Sequence, residues 1–218
     1  MNTEDYLIEN YSIDNINISK PKKNGIFLLC KVNHDNNDFI IQLPKMKFNL
    51  VNDKTIELSF LKNTSKYNKE TMDFLNNLDE FITKHVSVNS GEWFGENIPI
   101  ESVQKMYRKS VNIDSESSSM QFKLKESKNV SGVSFVDYKN NDLVLSDISE
   151  NANVDSIAQL KYLIFSKDKF HAVWDLLIVK LHKERVNRVP KFGFIEDPVD
   201  SLDSVDPAES VVKEYSFF

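Results

Sequence analysis

Cysteine is almost missing from this chain: Cys30 stands alone, inside the apolar run Ile26-Phe27-Leu28-Leu29-Cys30. That excludes an internal disulfide framework and any zinc site built on cysteines, and it suits a reducing compartment. Glycine is scarce as well, five in 218 residues, and no Walker-type loop, GxGxxG or GxSxG occurs. The histidines His34, His85, His171 and His182 fall into no HExxH or other metal-ligand spacing. Long apolar runs are lacking, and nothing approaches the roughly 20 residues that span a bilayer. The first residues, Met1-Asn2-Thr3-Glu4-Asp5-Tyr6, carry neither the basic flank nor the apolar stretch of a signal peptide. Carboxylate neighbours such as Asp79-Glu80 and Glu196-Asp197 read as solvated charges. The expectation is a non-enzymatic protein that is not secreted, has no membrane partner, and needs neither cofactor nor metal.

What is present is an uneven charge. The formal net charge is -6. From Ile195 onward stand Glu196, Asp197, Asp200, Asp203, Asp206, Glu209 and Glu214 against the single base Lys213, which accounts for all of it. Residues 1–194 are therefore neutral overall. An acidic chain ordinarily argues against nucleic acid, but here the acidity belongs to one end segment.

Residues 1–24 read as an arm or edge strand closed by the turn Lys23-Asn24-Gly25. Runs at Ile26–Val32 and Phe39–Leu43 flank an Asn/Asp cluster and predict a hairpin, with a further strand at Lys54–Leu61. Then the period changes. Met72, Leu75, Leu78, Ile82 and Val86 mark an amphipathic helix over Lys69–Val88, ending near Asn89-Ser90-Gly91. A shorter helix follows at Ile100–Lys109, so a helical insert spans about 68–110. Strands are predicted at Met120–Lys125, Val133–Tyr138, Leu143–Leu145, Ile157–Ser166 and His171–His182; the last also fits a helical stripe, and strand is favoured. The fold class expected is α+β, mainly β, closed as an OB-like Greek-key barrel with an inserted helical hairpin. The domain plan is 1–24 arm, 25–194 barrel and 195–218 tail, the tail being disordered because Pro198, Pro207 and the spaced Asp and Ser residues disfavour regular structure.

Non-specific single-strand binding needs cations along the phosphates and aromatic faces for unstacked bases. Lys45, Lys47 and Phe48 supply both beside one strand. Lys161, Tyr162, Phe165 and Lys167 supply both on another, where strict alternation would put Gln159, Lys161, Leu163, Phe165 and Lys167 on one face. Trp174 is read first as core and second as a stacking platform. The competing reading of all these segments is ordinary core aromatics beside edge lysines.

Taken together, the segments resemble a family. Ile41-Gln42-Leu43-Pro44-Lys45-Met46-Lys47 is similar to a segment of the single-stranded DNA-binding proteins of large nucleocytoplasmic DNA viruses. Met72–Phe81 with Glu92-Trp93-Phe94-Gly95 and Val103–Tyr107 resembles that family's helical block, and Ile157–Phe165 its late strand. The resemblance covers most of residues 25–185 in order, although the glycine that often accompanies the tryptophan near Ala172-Val173-Trp174 is absent. It implies an OB-type barrel that protects unwound DNA, like the single-stranded DNA-binding proteins of phage replication systems. The implied setting is a viral replication site in the host cytoplasm, or the nucleus.

The partners expected are single-stranded DNA and replication proteins, with a homodimer left open. Asp200, Asp203, Asp206, Glu209 and Glu214 would compete with DNA for its groove, and Phe217 and Phe218 would dock a replication partner. A solubilising tail is the plainer alternative. The alternative function is a virion-associated structural or assembly protein.

Overall fold

The computed structural model describes residues 6–62, 65–114, 117–124 and 132–183, all within one compact unit, Met1–Glu184. The acidic tail and its residues Asp200, Asp203, Asp206, Glu209, Glu214, Phe217 and Phe218 lie outside the described residues.

Among the described residues the chain is mainly β sheet with two α-helices. Strands β1 (Ile16–Ile18), β2 (Lys22–Asn24), β3 (Phe27–His34), β4 (Asn37–Asn52) and β5 (Thr55–Phe60) come first. Helices α1 (Lys66–Phe94) and α2 (Ile100–Met106) follow. Then come β6 (Tyr107–Arg108), β7 (Asn112–Ile113), β8 (Ser118–Lys123), β9 (Ser134–Val136), β10 (Asp142–Leu143), β11 (Asn153–Phe165) and β12 (Phe170–Leu181). The segment that fits either helix or strand is strand from Phe170 to Leu181.

The β3–β4 hairpin forms where the Asn/Asp cluster predicts it. Asp35 and Asn36 both take positive φ (47° and 64°), the geometry of a two-residue type I′ turn and one that Asp and Asn tolerate. The hydrogen-bonded order is β10-β9-β12-β11-β3-β4-β5-β8-β7, with β1 and β2 added on β3 and β6 on β12. Strand β4 is long enough to serve two ladders, pairing β11 through its first part and β5 through its last. Pro44, which has no N–H to donate, sits where the β4–β11 register shifts.

Helix α1 runs past the stop that Asn89-Ser90-Gly91 suggests. Ser65 caps its start by accepting from the Asn68 N–H at 3.2 Å, and it ends at Gly95, whose φ of 79° makes a left-handed cap. Gly91 answers a different need: a Cβ there would lie 2.4 Å from Asn97 Oδ1 in the turn after the helix. Its buried stripe, Phe74, Leu75, Leu78, Ile82 and Val86, packs into the same core as Phe39, Ile41, Leu43, Leu58, Leu160 and Leu163. Ile8, Ile16 and Ile18 from the N-terminal segment are buried in that core too. None of the helices among the described residues is long and apolar enough to cross a membrane.

Candidate nucleic-acid interface

Strands β8 and β12 approach one another, but among the described residues no ladder joins them. An open groove of about 550 Å³ follows this seam. Its walls come from the segment after α2, from β8, and from the outer faces of β11 and β12.

The segment after α2 is held by a buried carboxylate. Asp79 of α1, only 4% exposed, accepts three hydrogen bonds: from the Tyr107 hydroxyl at 2.7 Å, the Ser110 hydroxyl at 2.8 Å and the Ser110 N–H at 3.0 Å. The Trp174 indole N–H donates to the same Ser110 oxygen at 3.2 Å, tying β12 into the network. Burial pushes the Asp79 carboxyl above the usual range, while the Tyr107 and Ser110 donors and nearby Lys109 pull the other way. The Tyr107 hydroxyl is raised well above its ordinary value by burial and by the Asp79 charge. With both ends pinned, Arg108 and Lys109 between them project into the groove.

Lys123 of β8 lines the same groove, and among the described residues neither Lys109 nor Lys123 has an ion-pair partner. Arg108 donates to Gln121 Oε1 at 3.3 Å, and Gln121 in turn donates to Glu57 at 2.9 Å. The one carboxylate in the lining is Asp175, which Lys161 faces at 3.2 Å. His171 reports the resulting field. Its imidazole is held below the ordinary value, first by burial and then by the positive charges of Arg108 and Lys123. Ring surface comes from Tyr162, from Phe27 at the start of β3 and from His171, with Trp174 in the floor. Cations and rings in one open groove can hold phosphates and unstacked bases together.

A family of unknown function, DUF5871, matches residues 51–196, which include α1, Arg108, Lys123, Tyr162 and Trp174. The chain belongs to this family. No curated protein matches the sequence of this DUF5871 member. Among solved structures, it is similar to the single-stranded DNA-binding protein from bacteriophage Enc34, with a TM-score of 0.43 at 12% identity over 86% of this chain and 99% of that one. The same phage protein in complex with ssDNA gives 0.41 at 12%, over 77% and 96%. The single-stranded DNA-binding protein gp2.5 of bacteriophage T7 gives 0.45 at 12%, over 80% and 98%.

The DUF5871 chain brings together only part of the set expected from sequence. Tyr162 and Trp174 line the groove, Trp174 with just 6% exposure, and Lys161 reaches its edge through Asp175. The strict alternation expected for β11 fails. A bulge between Leu160 and Tyr162 puts Lys161 at a register shift and turns both Lys161 and Tyr162 outward, while Leu163 and Phe165 face the core. Phe165 stacks on Phe170 at 4.7 Å and offers no free face to a base. Phe48 is 1% exposed and lies in the core. Lys45 is exposed on β4, away from the groove lining, and Lys47 donates to the Asn151 carbonyl at 2.8 Å. Lys167 sits exposed in the β11–β12 turn. The sequence reading missed Arg108, Lys109, Lys123, Phe27 and His171. Tyr107-Arg108-Lys109 is the available signal, a basic pair beside an aromatic, but it falls at the end of the predicted helix. Among the described residues no group of His, Cys, Asp and Glu could hold a metal ion.

Proposed function

We propose that this protein binds single-stranded DNA without sequence preference along the β8–β12 seam, and that it does so in viral DNA replication or recombination. The observation that carries this reading is the groove: three cations and several rings around one carboxylate, itself ion-paired. The doubly laddered β4 and the β8–β12 approach favour an OB-type barrel as its frame. The motif resemblance to single-stranded DNA-binding proteins of large nucleocytoplasmic DNA viruses favours the viral setting. In the same reading the acidic residues Asp200, Asp203, Asp206, Glu209 and Glu214 compete with DNA for the groove, and Phe217 and Phe218 serve replication partners.

Fluorescence polarisation with oligo-dT across a salt series tests it. Three groove cations on three phosphates should give a log–log slope of roughly -2, and Arg108→Ala with Lys123→Ala should remove about 1.4 of that. Lys45→Ala should leave the slope alone. Removing residues 196–218 should tighten binding at low salt. No binding, or binding that ignores salt, would sink the reading and leave the virion-assembly role standing.

A further inference from the structure

The most exposed large apolar side chain of the described body is Ile26, at 88%, and it sits at the tip of the β2–β3 hairpin. The loop between paired Asn24 and Phe27 is just Gly25-Ile26. Gly25 takes φ of 60° at the first central position, as a type II′ turn asks. The second position carries no packing demand, and small polar residues such as Asn or Ser serve there in ordinary hairpins. An isoleucine held almost wholly in water is therefore not explained by the turn.

Three neighbours suggest what it meets. Phe27, one peptide further and 38% exposed, is part of the groove lining, so the tip continues the groove wall past its end. Lys22 and Lys23 are exposed on the facing strand of the hairpin. The base of the hairpin is fixed: the Ser19 N–H donates to the Lys31 carbonyl at 2.9 Å, and the Lys31 N–H donates to Ser19 Oγ at 2.8 Å. Lys20 also faces Glu92 of α1 at 3.0 Å. A short, anchored ribbon thus presents one branched aliphatic side chain, a ring behind it and two cations beside it.

We propose that this tip is a wedge for the junction where a single strand leaves a duplex. Isoleucine has no π face on which a base could stack, but aliphatic side chains do enter base steps and unstack them. Lys22 and Lys23 would hold the flanking phosphates. The chemistry favours nucleic acid over a protein partner because the apolar surface is Ile26 with the Phe27 ring behind it, flanked by positive charge, not a broad apolar patch. The inference rests on the single-strand reading of the groove and adds strand opening to it.

The test uses a duplex with a dT tail long enough to fill the groove and 2-aminopurine in the first base pair, with the full chain at saturation. Wild type should raise the 2-aminopurine fluorescence. Ile26→Ser, which suits the turn, should lose most of that rise. Its oligo-dT affinity should stay within about twofold, since no groove stacking contact, worth about fivefold or more, is removed. An Ile26→Ser protein that opens the junction as wild type does overturns the wedge and leaves the tip to a protein contact. Failure of wild type to bind oligo-dT would instead overturn the groove reading and the wedge with it.

Discussion

Strands β4 and β11 look alike in sequence, each setting lysines against aromatics, and they end on opposite sides of the problem. Both contain a register shift. On β4 the shift at Pro44-Lys45 sends Leu43 and Pro44 inward together, after which Met46 and Phe48 also point in. On β11 the bulge at Lys161 sends two successive residues outward, Lys161 and Tyr162. A single extra residue in a ladder therefore decides whether a lysine–aromatic run is core with a charged back or a surface for a polyanion. The direction of the bulge matters more than the composition of the strand.

The largest effect expected from this contrast is on stability. Phe48→Ala removes a ring that is 1% exposed, and should cost about 3–5 kcal/mol in urea or thermal unfolding. Whatever fraction remains folded should bind oligo-dT as before. Tyr162→Ala should do the reverse: little change in unfolding, and about 1–3 kcal/mol weaker binding of single strands. Equal losses of both kinds in the two variants would break the comparison between the strands.

The same contrast shows how much could be read in advance. Most strands, the long helix and the β3–β4 hairpin were legible, because local periodicity and turn residues suffice for them. Which of two lysine–aromatic runs faces solvent was not legible, since a bulge is set by the partner strand and not by the run itself. The groove cations stayed hidden for a related reason. Arg108 and Lys109 lie just beyond a short helix, between Tyr107 and Ser110, which are held by the distant Asp79 carboxylate, 28 residues away from Tyr107 along the chain. Phe27 and Lys123 join them through pairing across the sheet.

Asp79 offers the next sharpening, because it separates making the groove from lining it. Asp79→Ala leaves the Tyr107 hydroxyl and the Ser110 donors without their acceptor, at a cost of about 1–3 kcal/mol in unfolding. If its role extends to aiming Arg108 and Lys109, the oligo-dT salt slope should also flatten by about 0.7 to 1.4, although no phosphate contact was itself deleted. Asp79→Asn, which keeps an acceptor oxygen for the hydroxyls, should recover part of the slope. A full slope in a destabilised Asp79→Ala protein would reduce the network to a purely structural one.

The smallest effect concerns His171, and its sign follows from the groove. In the free protein its imidazole is held below the ordinary value of 6.5 by burial and by Arg108 and Lys123. The folded chain thus binds fewer protons than the unfolded one, and this group's contribution to stability is lost as pH falls from about 6.5 through the folded value. A phosphate in the groove would offset the positive neighbours and favour the charged ring, so DNA binding should take up protons in that window. Oligo-dT affinity should therefore strengthen modestly as pH is lowered through and below 6.5, while unfolding in the absence of DNA becomes easier. His171→Gln should flatten both trends. If affinity does not change with pH in the wild type, phosphate does not approach β12, and the strand runs along the β11 side of the groove, past Tyr162 and Phe27.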